Sequence, residues 1–110
     1  MLAPALKLFG SRAKTETLLA IALLKETYTQ ELARVLELAP TTVFRVLEDL
    51  EREGIILSRL VGRTRTVALN PRMYGAGELE SLLQKYAQRT ELKERIARIR
   101  RRPRRRGKEV

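Results

Sequence analysis

The stretch TQELARVLELAPTTVFRVLEDLEREG, residues 29–54, decides how this chain is read. Two segments of helical apolar spacing flank Leu38-Ala39-Pro40. Pro40 cannot continue a helix from before it, because it lacks an N–H and its ring clashes with the preceding turn, but it fits at a helix start. The spacing predicts a helix over 30–37 capped by Thr29, a tight turn, and a helix over 41–53 ended by Gly54. In the first, Leu32, Ala33 and Leu36 share a side. In the second, with about 100° per residue and Val43 at zero, Val46, Leu47 and Leu50 fall within about 60°. Thr41, Arg45, Glu48 and Arg52 point the opposite way. Phe44 lies about 100° from Val43, on the shoulder of the wheel, with Thr42 on the other shoulder.

Upstream, Ser11 is a candidate N-cap for a helix over 12–26, which is apolar over most of its circumference and hence largely buried. Thr27-Tyr28-Thr29 is β-favouring and ends it. Downstream, residues 55–61 and 64–69 are β-rich and flank Gly62-Arg63, which predicts a β-hairpin with the tip VGRTR. Asn70-Pro71 stops the second strand, and a loop runs to Gly77. A helix then begins near Glu78, with Leu79, Leu82, Leu83 and Tyr86 on one stripe. Leu92, Ile96 and Ile99 form a second stripe out of phase with it, so the helix bends near Thr90 or a new one begins there. Pro103 is expected to end it, leaving residues 104–110 disordered. The fold class is mainly α with a small β-hairpin (α+β). The organisation is an arm (1–10), one domain (11–77), a C-terminal helix (78–102) and a basic tail (103–110).

Composition narrows the chemistry. The 110 residues allow one modest core and contain no cysteine and no histidine. That excludes disulfides, thiol chemistry and the usual ligands of borderline metals, and removes the commonest acid–base side chain. No metal ligand set or cofactor motif is legible, and no nucleophile–base pair or phosphate loop points to an enzyme. The longest apolar run, Leu18 to Leu24, is far short of the roughly 18 residues that cross a membrane. With no signal-peptide pattern at the N-terminus, the expected location is cytoplasmic, associated with the nucleoid. Net charge is +10, and residues 95–110 hold nine basic groups and one acid. A basic run of this kind favours nucleic acid or another anionic surface.

The sequence at this point resembles the winged helix-turn-helix regulators, particularly the ArsR-like branch of bacterial and archaeal repressors. The resemblance runs from about Leu8 to Leu83. It rests on LFGSRAKTETL, QELARVLELAPTTVFRVLEDLEREGII, the hairpin SRLVGRTRTVALNP and the helix after it. Ala33 suits the close crossing of the two helices, and Leu38 the apolar position under the turn. Such turns often carry glycine where this chain has Glu37. Without Cys or His, metal sensing does not follow. The resemblance implies a winged helix-turn-helix with a C-terminal helical extension that binds double-stranded DNA as a transcriptional regulator, a dimeric repressor.

On that reading the first turns of helix 41–53 enter the major groove. Arg45 is placed to pair with guanine O6 and N7, and Thr41 and Thr42 to meet phosphate oxygens or a thymine methyl. Phe44 either folds over the core or lies against a thymine methyl beside Arg45. Glu48, Asp49, Glu51 and Glu53 repel phosphate and tilt the C-terminal half outward; alternatively Arg45 and Glu48 pair as surface charges. Arg59, Arg63 and Arg65 of the hairpin either reach the DNA backbone or minor groove, or protect the sheet edge from strand addition. Leu79, Leu82, Leu83 and Tyr86 pack across a twofold axis or within the monomer. Two other functions fit the same chain. One is a protein–protein adaptor, favoured by the acids at the end of helix 41–53. The other is non-specific architectural or RNA binding through the arginine tail.

Overall fold

The computed structural model describes residues 7–108, with side chains through residue 100. Among these residues the order is α1 (Arg12–Leu24), α2 (Thr29–Leu36), α3 (Pro40–Arg52), β1 (Ile56–Val61), β2 (Thr64–Leu69), α4 (Ala76–Ala87) and α5 (Leu92–Lys108). It is an α+β fold of helices and one antiparallel hairpin.

The core forms around α1. Ser11 caps it as expected, its hydroxyl accepting from the Lys14 N–H at 3.0 Å. Helices α2, α3 and α4 and strand β2 all pack on α1, and every residue from Thr15 to Ala22 is buried. Full burial of a leucine such as Leu18 or Leu19 contributes about 1.5–3 kcal/mol, and enclosure on several sides obtains most of that gain. The polar residues among them need partners. Thr15 Oγ1 accepts from the Phe9 N–H at 3.1 Å, and Glu16 takes the Arg12 Nε at 2.7 Å.

Two tight reversals hold strained backbone. Lys25 has φ 74° and ψ −61°, and the Glu26 N–H donates to the Leu24 carbonyl at 2.9 Å. This is the rare γ-turn of positive φ. Glu37 has φ 58° and ψ 45°, the left-handed conformation that glycine takes without cost. The α2–α3 turn thus keeps the geometry of a glycine turn with a glutamate in it.

The expected Thr29 cap is corrected. Tyr28 occupies the N-cap position with no side-chain cap, and Thr29 is the first residue of α2. The cause is Thr27, which exchanges backbone hydrogen bonds with Val67 of β2. That bridge keeps the chain extended through Tyr28. Thr27 adds one paired residue on the β2 edge away from β1, and its side chain is buried.

In the hairpin Val61 pairs with Thr64 across Gly62-Arg63, and Gly62 takes φ 64° at the first central position, as a two-residue hairpin turn demands. The register sets Ile56, Ser58, Val67 and Leu69 on the face that meets the core, and Leu57, Arg59, Thr66 and Ala68 on the other.

The C-terminal stripes resolve into two helices. Thr90 Oγ1 donates to the Ala87 carbonyl at 2.6 Å and accepts from the Leu92 N–H at 3.1 Å, closing α4 and opening α5. Leu92 is buried, while Ile96 and Ile99 pack against the core beside α2. The expected stop at Pro103 is also corrected: α5 is bounded by Lys108. Pro103 removes one helical donor and crowds the preceding turn, at a cost of about 3 kcal/mol, and the flanking arginines, good helix formers, work against that cost. Residues 1–6, most of the expected arm, lie outside the described residues. So do residues 109–110 and the side chains beyond residue 100, while residues 104–108, expected to be disordered, continue α5.

Candidate nucleic-acid interface

Helix α3 owes its position to its apolar side. Val43, Leu47 and Leu50 are buried and Val46 is partly buried against the core, as the wheel requires. The opposite side is left in solvent: Thr41, Phe44, Arg45, Glu48 and Asp49 are exposed, and Thr42 is half-buried. Pro40 stands at the first position and no side chain caps the N-terminus.

Phe44 is 53% exposed and stands outside the group of side chains packed on the core. Of its two expected roles, folding over the core is the one the structure does not give it. Arg45 and Glu48 do not pair with each other. Among the described residues Arg45 has no ion-pair or hydrogen-bond partner. The acids of the C-terminal half are occupied instead. Asp49 accepts from Arg52 at 2.9 Å, Glu51 from Ser58 Oγ at 2.8 Å, and Glu53 from Lys14 at 3.2 Å. Among the described residues the helix thus has a cation without a partner and an aromatic near its start, while toward its end Asp49 and Glu53 are ion-paired, Glu51 takes a neutral hydroxyl and Glu48 has no partner.

The three hairpin arginines have different fates. Arg59 lies on the outer face, where its Nε and Nη2 donate to the two carboxylate oxygens of Glu26 at 2.9 and 3.2 Å. Glu26 Oε2 also accepts from Thr66 Oγ1 at 2.7 Å. The Arg59 guanidinium, then the Thr66 hydroxyl, hold the Glu26 carboxyl below the usual carboxylate range. Arg65 makes a single neutral bond, Nη1 to Ser58 Oγ at 3.1 Å. Arg63, at the tip, is exposed and has no partner among the described residues. Of the candidate residues, Thr41, Phe44 and Arg45 on α3 and Arg63 and, more loosely held, Arg65 on the hairpin are exposed without an ion-pair partner among the described residues. Arg59 is tied to the framework.

The apolar stripe of α4 faces the same chain. Leu83 is fully buried, and Leu79 and Tyr86 pack on the core; α4 lies against α1. Leu82 alone of the four is exposed, at 42%.

Sequence reasoning missed a polar network beside the hairpin. Glu26, Thr27, Glu31 and Arg100 form one network at the α1–α2 connection. Thr27 Oγ1 donates to Glu31 Oε1 at 2.7 Å. Arg100 Nε and Nη2 donate to Glu31 at 2.8 and 3.1 Å, and Nη2 also reaches the Glu26 carbonyl at 3.1 Å. The β-favouring run Thr27-Tyr28-Thr29 signalled an extended segment. Its partners, about 40 and 70 residues downstream, have no local signature.

Among the described residues no cluster of His, Cys, Asp or Glu suits a metal ion, and no helix is long and apolar enough to cross a membrane. Comparison with protein-family models, characterised proteins and solved structures found no match.

Proposed function

We propose that this chain is a winged helix-turn-helix protein that binds double-stranded DNA in a sequence-specific way, as a transcriptional regulator of ArsR-like design and most simply a repressor. In this reading α2 and α3 are the helix-turn-helix and β1–β2 is the wing. The observation that carries it is Arg45 on the first turns of α3, beside Thr41 and Phe44, which has no partner among the described residues although Glu48 and Asp49 follow three and four residues on. An arginine on a helix with no partner among the described residues is ready to donate two bonds to a guanine edge, while Phe44 offers an apolar surface to a thymine methyl. Arg63 at the wing tip supplies a cation for phosphate or a narrow minor groove. The ion pairs of Asp49 and Glu53 weaken the repulsion that those acids would otherwise exert.

A repressor reading two half-sites needs a second copy. The α4 stripe supports this only through Leu82, since its other members lie against the core of their own chain. Cytoplasmic, nucleoid-associated residence follows from the same proposal.

Selection of bound sequences from random duplex DNA by the purified protein tests the reading. Enrichment of a discrete site supports it, and a symmetric site with two half-sites about one helical turn apart supports the dimer. Equal recovery of all sequences favours an architectural role. No recovery at low salt leaves the adaptor reading, for which the solvent-facing Phe44 is the favouring observation.

A further inference from the structure

We propose that Glu26 and Arg100 are positioning residues that fix the hairpin tip relative to α3, so that the placement of Arg63 is set by the α1–α2 connection and by the C-terminal helix. At its root the hairpin is held by the buried Ile56 and Val67 and by the Ser58 hydroxyl on Glu51 of α3. Along β2 it is held by the bridging residue Thr27, and along its outer face, nearer the tip, by the Glu26 carboxylate. That carboxylate touches both strands at once, Arg59 on β1 and Thr66 directly opposite on β2. It acts as a cross-brace close to the tip, three residues from Gly62 along β1.

Glu26 itself rests on Arg100. The Arg100 guanidinium bonds the Glu26 carbonyl and the Glu31 carboxylate, and Glu31 in turn accepts from Thr27. Among the described residues, hydrogen bonds from Arg100 thus reach the hairpin through Glu26 directly and through Glu31 to Thr27. Lys25, just before Glu26, is in a strained γ-turn, so the chain there has little freedom to shift while these bonds are intact. Loss of either positioning residue leaves the β1–β2 ladder and the buried root in place and loosens the outer face near the tip.

This rests on the DNA-binding reading only for its consequence, and the test separates the two. The chain has no native cysteine, so nitroxide labels at Glu48→Cys on α3 and Arg63→Cys at the tip report one distance. Glu26→Ala and Arg100→Ala in the labelled full chain are expected to broaden that distance distribution. Arg59→Ala, which removes an exposed side chain, should do the same without threatening the fold. An unchanged distribution in folded variants overturns the proposal. In duplex binding, the penalty for Arg63→Ala should shrink at least about two-fold in a Glu26→Ala background, the lower end of coupling within one network. An equal penalty in both backgrounds also overturns it, since a merely structural role would lower stability without coupling. Broadened distances in a protein that binds no duplex would retire the DNA reading and leave the positioning role standing.

Discussion

Arg100 and Glu31 join the last helix to the second through two charge-assisted hydrogen bonds, Nε to Oε2 at 2.8 Å and Nη2 to Oε1 at 3.1 Å. The Glu31 side chain is almost inaccessible, whereas that of Arg100 is 42% exposed. Truncating the arginine leaves a buried carboxylate with only Thr27 as donor. Leaving a buried charged acceptor short of partners costs about 1–3 kcal/mol. Arg100→Ala should lower the urea midpoint accordingly, with an unchanged slope.

The same pair sets an acid limit. Burial pushes the Glu31 carboxyl up, but the hydrogen bonds from Arg100 and Thr27 and the charges of Arg100 and Arg34 outweigh it, and the net shift is downward. Glu26 is shifted down as well. A lowered folded-state pKa gives stability that is present above the unfolded value, about pH 4.3, and is lost as pH falls through the folded value. The gap in stability between the wild type and Arg100→Ala should therefore be widest near neutral pH and close below about pH 4. Urea titrations at pH 7 and pH 3.5 measure it, and an equal gap at both pH values contradicts the assignment.

Glu37 sits in the left-handed region without being glycine. That conformation costs an L-residue roughly 1–2 kcal/mol, and glycine gives part of this back through its freer unfolded chain. Glu37→Gly should raise stability by about 0.5 kcal/mol, read as a higher melting temperature with duplex binding intact. The resemblance pointed to glycine here. Why the chain has glutamate instead is unexplained by any contact it makes.

Thr17 carries a buried hydroxyl that has no hydrogen-bond partner. Replacing an unsatisfied buried polar group with an apolar one of the same shape is neutral or stabilising, by up to about 1 kcal/mol. Thr17→Val should melt no lower than the wild type. A clear loss of stability would mean that the hydroxyl is bonded in solution.

The helices and hairpin were legible because each has a local cause. Ser11 caps α1, Pro40 opens α3, Gly62 turns the hairpin, and apolar spacing gives the buried sides of α2 and α3. The burial of Thr41–Leu50 follows the wheel nearly residue by residue. What the sequence left open depends on distant partners. Nothing near Arg59 marks it as the partner of Glu26, and nothing in the Leu79–Tyr86 stripe says whether α1 or a second chain covers it. Helix periodicity reports that a face is apolar, not what lies against it. Thr29 failed as a cap for the same reason: Val67, 40 residues away, captures Thr27 first.

Leu82 and Leu83 divide the two readings of that stripe. Leu83→Ala removes a fully buried side chain and should cost about 2–5 kcal/mol at any protein concentration. Leu82→Asp should leave monomer stability nearly unchanged. If copies pair through this face, it should also lower the mass seen by sedimentation at micromolar concentration.

Arg63 is expected to meet phosphate rather than a base. Arg63→Ala should weaken binding to all duplexes alike and reduce the salt slope by about one. A change confined to one sequence would place Arg63 at a base edge.

The most direct test compares Arg45→Ala with the wild type on two duplexes, the one enriched by selection and an unrelated sequence of equal length. A bidentate arginine–guanine contact is worth about 1–3 kcal/mol of discrimination, so affinity for the selected duplex should fall roughly 5- to 150-fold while the unrelated duplex changes little. Equal losses on both duplexes, or no loss on either, would contradict sequence reading by α3.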